Sequence, residues 1–109
     1  MKIRIKPLSV NKAWQGKRFK TVDYKAYEFN LTKMLPNEFI APKGKLELNI
    51  KVGYSSPLSD VDNMLKPFID ILQKKYNFDD KNIFKIVIEK ELVSKHREFI
   101  DWKLTEYEK

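Results

Sequence analysis

Two aspartates one residue apart, Asp60 and Asp62, stand before Lys66, and a second acidic pair, Asp79-Asp80, follows further along the chain. On extended backbone, side chains two positions apart point to the same side, so Asp60 and Asp62 can face one ligand. Carboxylates gathered in one place repel each other and persist mainly by binding a hard divalent cation. Magnesium held in this way suits phosphodiester chemistry: it polarises phosphoryl oxygens, lowers the pKa of an attacking water and steadies the leaving oxygen. Lys66, one helical turn beyond Asp62, would orient the scissile phosphate or offset charge on a phosphorane. Spacing alone does not bring Asp79-Asp80 to this group, because an intervening helix of about 14 residues is ~20 Å long. Plainer readings stand beside the metal site. Asp60 or Asp62 can cap a helix. Asp62, Lys66 and Asp70 can form a surface ion-pair ladder worth a few tenths of a kcal/mol. Asp79-Asp80 can be turn chemistry.

Other catalytic material is scarce. The chain has no cysteine, which excludes disulfides, thiolate catalysis and zinc-ribbon chemistry, and fits a reducing compartment. Its one histidine, His96, lies between Lys95 and Arg97 in an expected turn and reads as solvated. No base with an orienting partner is visible for a serine nucleophile. The three glycines are scattered singly, so no Gly-rich phosphate loop exists.

The charge is distributed unevenly. Residues 1–54 hold twelve Lys or Arg against four Asp or Glu, a net of +8, while residues 55–109 hold ten against eleven, a net of −1. The overall +7 is thus an N-terminal property, and the first acid in the chain is Asp23. Such a half suits a polyanion, because each phosphate contacted releases condensed counterions; solubility alone is the plain alternative. The 109 residues fit one domain, spanning 1–109, small enough that an oligomer would be a natural source of added stability. The N-terminus alternates basic and apolar residues without the apolar core of a signal peptide, and no apolar run approaches a membrane span. The reading is of a cytoplasmic protein with no membrane partner.

These residues must be positioned by elements that the pattern suggests. Residues 2–6 alternate and read as a short strand. Residues 7–22 read as a loop carrying Asn11, Lys12, Lys17, Arg18 and Lys20 around Trp14 and Phe19. The spacing of Tyr24, Tyr27, Leu31 and Met34 predicts a helix over about 23–35, stopped by Pro36. Alternation over 45–54 predicts a half-buried strand with Leu46, Leu48, Ile50 and Val52 inward. A second helix is expected from about Asp62 or Asn63 to Tyr76, with Leu65, Ile69 and Leu72 buried, Pro67 in or just past its first turn, and Asp62 or Asn63 as its cap. Residues 83–93 and 99–107 read as strands forming an antiparallel hairpin, with Ile100, Trp102 and Leu104 inward. The order β-α-β-α-β-β gives an α+β domain with two main helices and a mixed sheet of about four strands.

The string Ser59-Asp60-Val61-Asp62-Asn63-Met64-Leu65-Lys66, then Asp70-Ile71-Leu72, then Phe78-Asp79-Asp80 and Ile83, resembles the signature of the RusA family of Holliday junction resolvases. That signature reads Asp-x-Asp-Asn-x-x-Lys-x-x-x-Asp-x-Leu and, after a short loop, Asp-Asp-x-x-Ile or Val. Pro7-Leu8-Ser9-Val10-Asn11 and Tyr24-Lys25-Ala26-Tyr27 are similar to the family's opening loop and first helix, so the resemblance covers nearly the whole chain. It implies a RusA-like homodimeric endonuclease, often phage- or prophage-encoded in a bacterial cell, that makes paired nicks in four-way DNA junctions during recombination and repair. The acids matching Asp60, Asp62 and Asp80 would bind magnesium or manganese, and the lysine matching Lys66 would assist catalysis. The resemblance also implies that the Asp79-Asp80 segment reaches the site of Asp60, with Asp80 the stronger ligand of the two. The basic loop, with Asn11, Lys12, Lys17, Arg18 and Lys20, would track the DNA backbone, and Trp14 or Phe19 would either stack on an unpaired base or cover the core or dimer contact. A non-catalytic DNA-binding or regulatory protein on the same scaffold explains the charge equally well but leaves the acids without a role. A protein–protein adaptor is the third reading.

Overall fold

The computed structural model describes residues 1–15 and 19–108, with only the backbone for Trp14, Gln15 and Phe19. In chain order the elements are β1 (Lys2–Ile3), α1 (Val10–Ala13), β2 (Trp14–Gln15), β3 (Phe19–Lys20), α2 (Val22–Met34), β4 (Leu46–Tyr54), α3 (Leu65–Tyr76), a 3-10 turn (Asp80–Asn82), β5 (Ile83–Leu92) and β6 (Phe99–Glu106). Four strands form a mixed sheet in the order β1-β6-β4-β5, and β2 with β3 makes a separate antiparallel ribbon. The expected α+β architecture is observed. The N-terminal strand is shorter than its alternation suggests, and one turn of helix, α1, stands where a loop was expected.

Strand β4 follows its alternation: Leu46, Leu48, Ile50 and Val52 are buried, while Glu47, Asn49 and Lys51 face the other way. It runs parallel to β5 and antiparallel to β6. This corrects the expected β5–β6 hairpin, because β4 is inserted between those two strands. A parallel neighbour requires a long crossover, which α3 supplies, so β5 occupies one side of β4 and leaves the other to β6. Residues 93–98 then span the end of β4, held by Val93 N–H donating to the Tyr54 carbonyl at 2.8 Å. They need to cross only two strand spacings, about 10 Å, which six residues do easily.

Helix α2 begins where Thr21 Oγ1 accepts from the Tyr24 N–H at 3.1 Å, and it buries Tyr24, Tyr27 and Leu31. It ends at Leu35, whose N–H donates to the Leu31 carbonyl at 2.9 Å, before Pro36. Helix α3 starts later than its sequence suggests, with Met64 as the cap residue and no side-chain cap. The reason is local. The N–H groups of Asn63 and Leu65 donate to the carbonyls of Asp60 and Asp62 at 3.2 and 3.0 Å, so tight turns satisfy the backbone that Asp62 or Asn63 was expected to cap. Pro67, third in the helix, lacks an N–H that would have no partner in the first turn anyway. Phe68, Ile69, Ile71 and Leu72 are buried, while Leu65, expected in the buried stripe, is only half-buried. The two helix ends are tied together by Lys75 Nζ, which donates to the Leu35 carbonyl at 2.8 Å and also to the Thr32 carbonyl. Both helices share one core with the inward residues of β4 and β6, where Phe39, Phe68 and Tyr76 surround Trp102. Among the described residues no helix is long and apolar enough to cross a membrane.

Candidate functional site

Asp60 and Asp62 lie on the connection between β4 and α3, Asp62 within a turn rather than on extended backbone, and both are exposed. Tyr54, the last residue of β4, is buried beneath them and its hydroxyl donates to the Val61 carbonyl at 3.5 Å. Burial pushes the Tyr54 phenol up to about 12, and the negative charges of Asp62 and Asp60 add to the shift, which marks both carboxylates as neighbours of this ring. Neither carboxylate has a hydrogen-bond or ion-pair partner among the described residues. Two free carboxylates on one turn are acceptors that a hard cation can use.

Lys66 follows on the first turn of α3. Its Nζ lies 3.5 Å from Asp70 Oδ2, and its side chain is 61% exposed. The rung from Lys66 to Asp70 of the surface ladder therefore exists, while none joins Asp62 to Lys66 among the described residues. An exposed pair of this kind is weak, so the ammonium can exchange Asp70 for another anion at little cost.

The second acidic pair lies elsewhere. Asp79 caps the 3-10 turn, accepting from the Lys81 N–H at 3.0 Å and pairing with Lys81 Nζ at 3.8 Å. That is the turn chemistry considered for it. Asp80 is exposed, and its N–H donates to Gln73 Oε1 near the end of α3 at 2.8 Å. The 12 residues of α3 span about 18 Å. The sheet register agrees: Ile83 pairs with Leu46 at the start of β4, whereas Asp60 follows Tyr54 at its finish. Within one copy Asp60 and Asp62 are together and Asp80 is at the opposite end. No three carboxylate or histidine side chains meet as a metal-holding group among the described residues.

The basic segment adjoins the first pair. The Val10 N–H donates to the Asn63 carbonyl at 2.8 Å, seating α1, with the exposed Asn11 and Lys12, against the Asp60–Asn63 turn. A cleft of about 600 Å³ beside it is lined by Lys6, Lys12, Tyr27, Tyr54, Ser59 and Asn63 among others. Lys20 is set apart from this edge. Its Nζ is 3.5 Å from Glu28 Oε1 and 5.0 Å from the Tyr24 ring centre. Contact with Lys74 and partial burial lower its pKa, while Glu28 opposes the shift. Lys17 and Arg18 lie outside the described residues, as do the side chains of Trp14 and Phe19.

Two residues near the site were not singled out from the sequence. Lys90 of β5 donates to the Ser59 carbonyl at 2.7 Å and the Pro57 carbonyl at 3.4 Å, bracing the backbone just before Asp60. Its signal is a break in pattern, a lysine in phase with Ile86, Ile88 and Leu92. Glu98 is buried at the crossing over β4 and accepts from Ser55 Oγ at 2.7 Å. The Ser55 hydroxyl, helped by nearby backbone N–H groups, holds its carboxyl below the usual range. No residue-spacing signal marks Glu98, because its partner is 43 positions away. No family model and no curated protein matches the chain.

Proposed function

We propose that this chain is a magnesium-dependent, structure-specific endodeoxyribonuclease that nicks four-way DNA junctions and works as a homodimer. The observation that carries the reading is the hydrogen bond from Val10 to Asn63, which sets exposed Asn11 and Lys12 against a turn with two unpartnered carboxylates. Acids beside a basic surface weaken polyanion binding unless a cation neutralises them, so their placement makes chemical sense with a divalent ion present. The RusA-like motif supplies the reaction class.

In this reading Asp60 and Asp62 hold the ion, and a bound ion would polarise the phosphodiester and lower the pKa of a water beside it. Lys12 engages the phosphate backbone and Lys66 neutralises charge at the scissile phosphate, leaving Asp70 to do so. Tyr54 and Lys90 fix the backbone of the turn from below and from the side. Asp80 cannot join this group within one copy, since α3 separates them. A two-fold dimer resolves this by bringing Asp80 of one copy to Asp60 and Asp62 of the other, which also sets two sites symmetrically for paired nicks.

The test mixes two variants on a labelled synthetic four-way junction with magnesium. D60N and D80N are each expected to be inactive. A co-refolded mixture is expected to regain roughly a quarter of the sites, because half the dimers are mixed and each has one intact pair of partners. Those dimers should leave single nicks. No recovery, with both variants folded and dimeric, overturns the shared site. One observation favours a second reading, a DNA-binding protein without catalysis: the three acids do not meet in one copy. Junction binding by the unmodified protein with no nicking in magnesium or manganese would establish that reading.

A further inference from the structure

We propose that Lys20 and Lys74 hold a backbone phosphate of a DNA arm laid along α3, and that Glu28 stores the two ammonium groups side by side while the site is empty. The inference rests on the junction-binding reading above. Its test reads binding in EDTA rather than nicking, so the two can fail separately.

Three elements meet at this cluster. Lys20 ends β3, Glu28 lies in α2 and Lys74 is in the last turn of α3. Glu28 Oε2 accepts from Lys74 Nζ at 2.7 Å, and Glu28 Oε1 lies 3.5 Å from Lys20 Nζ. One carboxylate thus serves two lysines. Burial raises the Glu28 pKa, but the two ammonium groups outweigh it and hold the carboxyl below its usual range. Contact with Lys74 and partial burial pull the Lys20 pKa down, as two like charges crowded together require. A second anion brought to the pair relieves that crowding.

The surroundings suit a phosphate. An open cleft of about 340 Å³ at the cluster is lined by Lys20, Tyr24, Asp70, Gln73 and Lys74. Gln73 uses its Oε1 to accept from the Asp80 N–H at 2.8 Å, which leaves its amide N–H groups to donate. Asp70, on the same wall, lies 3.5 Å from Lys66, so Lys20, Lys66 and Lys74 against Glu28 and Asp70 sum to +1. The Lys74 side chain is 57% exposed, and an exposed pair such as Lys74–Glu28 opens at little cost.

The helix also fixes a spacing. Lys66 and Lys74 are eight residues apart on α3, joined by i,i+4 steps through Asp70, which is about 12 Å along the axis. One DNA strand rises about 3.4 Å per nucleotide, so that span is about 3–4 nucleotides. With Lys66 at the scissile phosphate, Lys20 and Lys74 meet a phosphate about 3–4 nucleotides further along the same arm. This gives Lys20, which stands apart from the Asp60–Asn63 edge, a phosphate of its own.

Fluorescence anisotropy on a synthetic four-way junction in EDTA tests the assignment. E28Q should tighten binding about two- to fivefold, because it removes the competing carboxylate. K74A should weaken binding and lower the slope of log K against log salt by about 0.9, and K74R should restore both. A neutral methylphosphonate stepped along one arm should find two telling positions: one that K66A no longer senses and, about 3–4 nucleotides on, one that K74A no longer senses. Were the cluster only a tie between elements, E28Q and K74A would both lower the unfolding midpoint and leave junction affinity unchanged; that result overturns the proposal. So does a K74A protein as sensitive as the unmodified one at every methylphosphonate position. No junction binding by the unmodified protein at low salt overturns this site and the proposed function together, whereas binding without nicking overturns only the enzyme. Circular dichroism confirms that each variant is folded.

Discussion

A carboxylate buried at a strand crossing needs a donor, and Glu98 finds one in the Ser55 hydroxyl at 2.7 Å. That bond, with backbone N–H groups behind it, depresses the Glu98 pKa. A depressed folded pKa means stability that is present at neutral pH and lost as pH falls through the folded value, below 4.5. S55A should therefore destabilise the protein by about 1 kcal/mol at pH 7. Urea unfolding should show that difference smaller at acid pH than at pH 7, as Glu98 takes up its proton. An unchanged difference at the two pH values would mean that Ser55 acts through packing. At this same scale the sequence named Asp60, Asp62 and Lys66 as chemistry-bearing, because residue types at short spacing are visible in a string. It marked Lys90 only by a break in pattern and Glu98 not at all, since the partners of both are brought near only by the sheet.

Strand β4 depends on a residue chosen for what it lacks. Gly53 pairs with Phe99 across the antiparallel ladder, and a Cβ built there would collide with the Phe99 ring. The ring is buried, so it has little room to give. G53A should cost about 1–3 kcal/mol, the usual range for overpacking a close contact. G53A/F99L should recover part of that loss in chemical denaturation, and failure to recover any would place the cost in the backbone rather than the ring. The alternation over 45–54 revealed the strand and its buried face correctly, because a period of two is a local property. It could not reveal that β4 lies between β5 and β6. Adjacent strands with a short turn suggest a hairpin, and only the crossover through α3 assigns the neighbours.

For the molecule as a whole, charge is the largest feature readable from the sequence. The net charge is +7, with the excess in the N-terminal half, and α1 delivers Asn11 and Lys12 from that half to the acidic turn. Under the proposed function, junction binding should weaken steeply with salt. In fluorescence anisotropy, K12A should reduce the slope of log K against log salt by about 0.9, the share of one phosphate contact. K33A, at the far end of α2, should leave the slope unchanged. Equal slopes for K12A and the unmodified protein would exclude Lys12 from the DNA surface.

By itself the sequence determined the α+β class, the inward residues of β4 and β6, and the course of α2 and most of α3. All of these follow from periodicity, proline placement and residue type within a few positions of one another. The tertiary structure alone decided the strand order, the bracing of the turn by Lys90 and the joining of α1 to Asn63. It also decided that Asp80 stands a helix length from Asp60 and Asp62. The physical reason is common to all four: each depends on contacts between residues far apart in the chain, and spacing along a chain carries no information about which ends of two elements will face each other.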